Sequence, residues 1–253
     1  MTKMRRGRVA FLLFAMGVFF VLFSIAHVWA KSNDDSRIIF QEGEFSMGDS
    51  FCSEEQGNSD WCADEAPHTV RIKAFSIDKY EVTNGEYLEC FAEGICDPAE
   101  LHETRPKDFS GMNQPVVFVS WMNAQSFCKW RGGDLPTEAQ WEHAAEGSHP
   151  GGAHFQQKYQ SGSPVDVGGQ RPNSNGIYDM MGNVYEWTRD WYGPYPVKDI
   201  ALNPKGPSEG KDKVVRGGAW HSPSHYLRVA DRVARTPEYK YSDVGFRCVY
   251  SLQ

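Results

Sequence analysis

The stretch Gln114–Gly147, "QPVVFVSWMNAQSFCKWRGGDLPTEAQWEHAAEG", changes its pattern several times within a short span. It opens with the extended apolar run "QPVVFV". Ser120 then stands where a hydroxyl would accept the orphan N–H groups of a helix starting at "SWMNAQSFCKW". Gly132-Gly133 interrupts that helix. Pro136 disfavours helix in the residue before it. Thr137 with Gln140 forms the reciprocal cap of a second helix, "TEAQWEHAAE". A strand-like run followed by two capped helices on a glycine turn is an α+β signal.

The same chemistry continues on either side. "TNGEYLECFAE" carries the Thr83/Glu86 capping box and predicts another helix. "IIFQEGEFSMG" reads as a first strand ending in a turn, and "HTVRIKAFSID" as an alternating strand. Between them lies the acidic, Cys-bounded loop "CSEEQGNSDWCADEAP". After Gly147 regular signals thin out into the Gly/Ser/Pro-rich segments "GGAHFQQKYQSGSP" and "GGQRPNSNG". Then come "IYDMMGNVYEWTRDWY", the strand "KVVRGGAW" and a closing strand "GFRCVY". Short strands, two or three helices and long loops describe an irregular domain, and so much loop needs disulfides or a bound ion to hold it.

The first thirty residues carry Lys3, Arg5, Arg6 and Arg8 ahead of an apolar run from Val9 to about Trp29. That is a leader: a signal peptide cleaved after Val28-Trp29-Ala30, or else an uncleaved anchor tethering the chain to the inner membrane. Residues 31–37 read as a linker and 38–253 as one domain, exported to the periplasm or the medium. Removing the four leader cations from 26 basic residues leaves 22 against 33 acidic ones, a net charge near −11. Such a balance argues against nucleic acid, and against a membrane partner other than through the leader.

Six cysteines follow the leader, an even number that in an exported chain implies disulfides. Composition alone leaves about fifteen pairings open. The local pairs Cys52–Cys62 and Cys90–Cys96 are the expectation, which leaves Cys128 with Cys248.

"FSMG", "IDKYEVTNGEY", the Gln114–Gly147 stretch, "NGIYDMMGNVYEWTRDWY", "VVRGGAW" and "VGFRCV" stand in the order seen in the formylglycine-generating-enzyme, or sulfatase-modifying-factor, family. The resemblance runs from about Ile38 to Tyr250. It implies a C-type-lectin-like variant with little regular secondary structure, and a disulfide at the positions of Cys128 and Cys248. It also implies calcium held by the Asp179 and Glu186 side chains and the Gly182 and Val184 carbonyls, oxygen ligands that suit this hard cation. The loop Gly147–Ser174 shows no ligands for a second calcium. The family's active members hold copper(I) on two thiolates just after the glycine turn. Laid on Gly217-Gly218-Ala219-Trp220, those positions are Ser222 and Leu227, so copper-thiolate chemistry is not expected here.

The turn itself, "VVRGGAWHSPSHYLRVADR", raises three chemical possibilities. His221 and His225 could share a metal, with Asp231, His68, His102, His143, His149 and His154 the remaining ligand types. Ser222 could act as a nucleophile, against the simpler role of capping a helix that starts at Pro223. Trp220, His221, Ser222, His225 and Arg228 could line a groove. Arg216, Arg228, Arg232 and Arg235 read as neutralising an acidic domain. Asp134 could pair with one of them. Trp130, Trp141, Trp187 and Trp191 are expected in the core and groove walls.

The expected function is a calcium-stabilised binding or accessory module for a peptide, protein or glycan. The alternative is a periplasmic oxidoreductase with a His-bound redox metal of unknown identity, of the kind that matures siderophores in family relatives.

Overall fold

The computed structural model describes residues 35–50, 63–195 and 200–252. The leader and the Cys52–Cys62 pair lie outside the described residues. Among the described residues no helix is long and apolar enough to cross a membrane.

Among the described residues, three small sheets and three α-helices make up the domain. β1 (Arg37–Phe40) pairs antiparallel with β4 (Phe75–Asp78), which pairs on its other side with β10 (Val249–Ser251). The start and end of the domain are thereby joined in one sheet. β2 (Gly43–Met47) runs antiparallel to β3 (His68–Ile72), and β6 (Ile200–Leu202) lies parallel beside β3. The third sheet has the order β8 (Arg232–Arg235), β7 (Lys213–Arg216), β5 (Tyr185–Trp191), β9 (Val244–Gly245).

Three expected strands are therefore broken. "HTVRIKAFSID" splits at Lys73-Ala74 because its halves pair in different sheets. "IIFQEGEFSMG" splits at Gln41-Glu42 for the same reason. "GFRCVY" splits where Arg247 turns fully inward and Cys248 is drawn to Cys128. Period-two alternation reports which side chains face inward, not which neighbour a strand pairs with.

The helices follow their caps. In α1 (Asn84–Ala92), α2 (Trp121–Trp130) and α3 (Glu138–Ala145) the residues Thr83, Ser120 and Thr137 accept from the third backbone N–H. The side chains of Glu86, Asn123 and Gln140 return the bond. Each such cap contributes about 1 kcal/mol. Gly133 after α2 is required by contact: a Cβ there would meet the Val249 carbonyl at 2.4 Å.

Two apolar clusters form the interior. One gathers Trp121, Phe127, Trp187, Trp220 and Phe246; the other packs Phe40, Phe45, Phe75, Ile77 and Trp141. Trp130 and Trp191 are only partly buried. The disulfides Cys90–Cys96 and Cys128–Cys248 are formed, as expected. The second spans 120 residues of sequence and ties α2 to the strand that closes the first sheet.

Candidate functional site

β7 leads directly into the turn. Gly217 and Gly218 adopt φ of 96° and 76°, left-handed values that a side chain resists. A Cβ on Gly218 would also press to 3.0 Å from Leu227. The double glycine thus lets the chain fold back so that Leu227 is buried against its own turn.

Ser222 is buried too. Its Oγ accepts from the Ala219 N–H at 2.9 Å and donates to the Tyr185 hydroxyl at 3.2 Å. The expected helix cap is not made. A single 3-10 turn, Ser224–Tyr226, starts beyond Pro223 with no side-chain cap, because the serine oxygen is already engaged behind it. Among the described residues the partners of Ser222 Oγ are Ala219 and Tyr185, and burial raises the Tyr185 hydroxyl to about 12.

His221 bonds elsewhere: its Nε2 lies 3.0 Å from Asp243 Oδ2, and its ring packs edge-on to Trp220. His225 lies in the 3-10 turn beside Tyr226. Among the described residues no group of three or more His, Cys, Asp or Glu side chains could hold a metal. Trp220 is fully buried and does not line a groove. The exposed aromatic here is Tyr159, 56 % accessible, stacked on Trp220 at 5.7 Å between centroids. It comes from the Gly/Ser-rich loop, whose composition signals a loop but not where it lies.

Arg228 is also taken up. It bonds both Glu65 oxygens at 2.6 and 2.8 Å and reaches Asp49 at 3.0 Å. Arg216 and Arg232 meet on Glu138 of α3, and Arg216 also pairs with Glu142. This is the neutralising role expected for these arginines. Asp134 pairs instead with Lys129 and Arg189. Glu138 and Glu142 were missed in the sequence, although their i, i+4 spacing on one helix face is the available signal. Desolvation raises Glu142, Asp190 and Asp231 each to about 7.

The residues expected to bind calcium lie between the two clusters. Asp179 and Asn183 both adopt φ of 58°, a conformation Asp and Asn tolerate better than most. Asp179 Oδ2 accepts from Gly168 N–H at 2.6 Å, while its buried Oδ1 has no hydrogen-bond partner. Glu186 is clamped by Arg247, whose Nε and Nη2 each donate at 2.7 Å, and by Trp141 Nε1 at 2.9 Å. Its Oε1 takes only one of these bonds and retains a lone pair. Glu81, also missed in the sequence, is buried close by and accepts from Asn183 Nδ2 at 2.6 Å. Desolvation, then the charges of Asp179 and Glu186, hold Glu81 well above the usual carboxylate range. Three buried carboxylates thus face one guanidinium. The open Asp179 oxygen and the Glu186 Oε1 lone pair are oxygen donors of the kind a hard divalent cation takes.

Fold and disulfides together define a C-type-lectin-like α+β domain. Residues 26–252 match the sulfatase-modifying factor enzyme 1-like domain, and the chain belongs to that family. It is 32 % identical to the formylglycine-generating enzyme of Streptomyces coelicolor, over 81 % of this chain and 86 % of that protein. It is 36 % identical to the inactive C-alpha-formylglycine-generating enzyme 2 of Mus musculus, over 87 % of each. Similarity to the serine/threonine-protein kinase pkn1 of Chlamydia pneumoniae, 34 % identical, covers 85 % of this chain but only 38 % of the kinase. Among solved structures, PvdO from Pseudomonas aeruginosa superposes with a TM-score of 0.70 at 25 % identity, over 85 % of this chain and 94 % of PvdO.

Proposed function

We propose that this chain is an exported, calcium-stabilised binding or accessory module that does not make formylglycine by copper-thiolate chemistry. One observation carries the reading. The positions where the family resemblance calls for thiolates hold a buried serine bonded to Ala219 and Tyr185 and a buried leucine, while Cys90, Cys96, Cys128 and Cys248 are in disulfides. Neither a hydroxyl so engaged nor an aliphatic side chain can replace a soft ligand for copper(I). The relative whose name marks it as inactive agrees with this reading. Bound calcium would tie Asp179 and Glu186 to the backbone between them and balance the carboxylates packed there.

The test is elemental analysis of the domain purified without chelator, beside an oxygen-uptake assay with a cysteine-containing sulfatase peptide. Calcium alone, with no turnover, is expected. Conversion of the cysteine by the wild-type chain would overturn the reading. A second reading, an oxidoreductase with a metal on His221, draws on the His221–Asp243 bond, since a carboxylate commonly orients a ligating imidazole. Stoichiometric iron, copper or manganese lost in His221→Ala would favour it.

A further inference from the structure

The four innermost arginines of the domain, Arg216, Arg228, Arg232 and Arg247, each make several bonds to carboxylates or carbonyls at 3.2 Å or less, although Arg216 Nε has no partner. Arg235, at the end of β8, is different. Its guanidinium lies over the rings of Tyr185 and Tyr241, 5.6 and 5.4 Å from their centroids. Its Nε is buried with no partner, its Nη1 reaches the Ala234 carbonyl only at 3.5 Å, and its Nη2 is 3.8 Å from Asp243 Oδ2. Good N–H···O bonds lie at about 2.7–3.2 Å, so a rigid five-donor fork stands here without one. The side chain is 29 % exposed, and the 25 % exposed His221 shares the same Asp243 oxygen. The Tyr241 ring also walls an open depression of roughly 500 Å³, lined further by Glu100, Glu238, Tyr239 and Lys240.

We infer that Arg235 is the receiving group of a site for a peptide carboxylate, with the ligand chain lying over Tyr241 and Tyr239. The inference rests on the binding-module reading and supplies its ligand chemistry. Two parallel donors on a planar fork match the two oxygens of a carboxylate. The two rings hold the fork in place, so little conformational entropy is lost on binding.

The test follows the Nε–Hε resonance of Arg235, assigned with Arg235→Lys, by NMR. The protein is titrated into the millimolar range with N-acetyl-tyrosine, N-acetyl-tyrosinamide and sodium sulfate in turn. The expected result is a shift with the free acid, no comparable shift with the amide or with sulfate, and binding weaker by on the order of tenfold in Arg235→Lys. Unchanged near-UV circular dichroism in Arg235→Lys and in His221→Gln shows that the fold persists. Equal shifts with acid and amide, no shift with the acid, or equal shifts with sulfate would each overturn the site. A failure of the broader reading looks different, since it would be turnover of a cysteine peptide or a retained redox metal, whatever Arg235 does.

Discussion

The loop 179–186 and the turn 217–227 lie side by side, joined by the Gly182 N–H to the Gly217 carbonyl and by the Trp220 N–H to the Asn183 carbonyl. They differ in what they hold. The first packs three buried carboxylates around one guanidinium and leaves one Asp179 oxygen without a hydrogen-bond partner. The second keeps its backbone reversal and its buried contacts, yet its two inward positions are a neutral hydroxyl and a leucine. Two adjoining loops of one scaffold can thus present very different ligand chemistry.

The largest effect that would break this contrast lies at Arg247. Arg247→Met leaves Glu186 and Glu81 buried without their counter-charge and is expected to destabilise the domain by about 3–5 kcal/mol in urea unfolding. A loss below about 1 kcal/mol would mean that water reaches these carboxylates. Next comes cation removal. Chelation is expected to lower stability by about 3 kcal/mol if free calcium had stood near a hundred times its dissociation constant, and Asp179→Ala should abolish that response. A calorimetric midpoint indifferent to chelator would remove the cation from the comparison.

A smaller effect is set by pH. Asp190 has a folded pKa of about 7, above its unfolded value of about 3.9. The stability it contributes is therefore fully present below about pH 4 and is lost as pH rises through about 7. Asp190→Asn should raise stability at pH 8 by on the order of 1 kcal/mol and narrow the difference between pH 5 and pH 8. The Glu138 N–H can still donate to an amide oxygen there. A variant that is less stable at pH 8 would show Asp190 to be ionised and well solvated. The last test reads binding rather than stability: Ser222→Cys/Leu227→Cys is expected to add copper(I) binding, at some cost in stability because both side chains are buried. Failure to gain copper would show that the turn differs from its relatives in more than two side chains.

Much of this was legible along the chain. All three helices start at hydroxyl caps because capping is local chemistry, settled within four residues of Thr83, Ser120 and Thr137. The local Cys90–Cys96 pair and the family motifs were legible as well, and the resemblance those motifs carry implied Cys128–Cys248. The strand breaks were not, because Lys73-Ala74 looks like any other polar step until its two flanks enter different sheets. At the turn, the sequence offered Trp220 as a groove wall and Arg228 as a groove residue. Folding buried the first under Tyr159 and placed the second against Glu65, 163 residues away in sequence. Glu81 reads as one acidic residue among many, and only its position beside Asp179 and Glu186 makes its charge costly.

The sequence by itself determined the class of domain, the helix starts, the local Cys90–Cys96 pair and the absence of cysteine from the turn, since each depends on residue identity or short-range spacing. Tertiary structure alone decided which charges are compensated. Arg216, Arg228, Arg232 and Arg247 each bond carboxylates or carbonyls at short range and Arg235 does not, and three carboxylates share a single guanidinium. Compensation depends on which distant groups burial brings within about 4 Å, where lost hydration makes every unmatched charge or donor expensive.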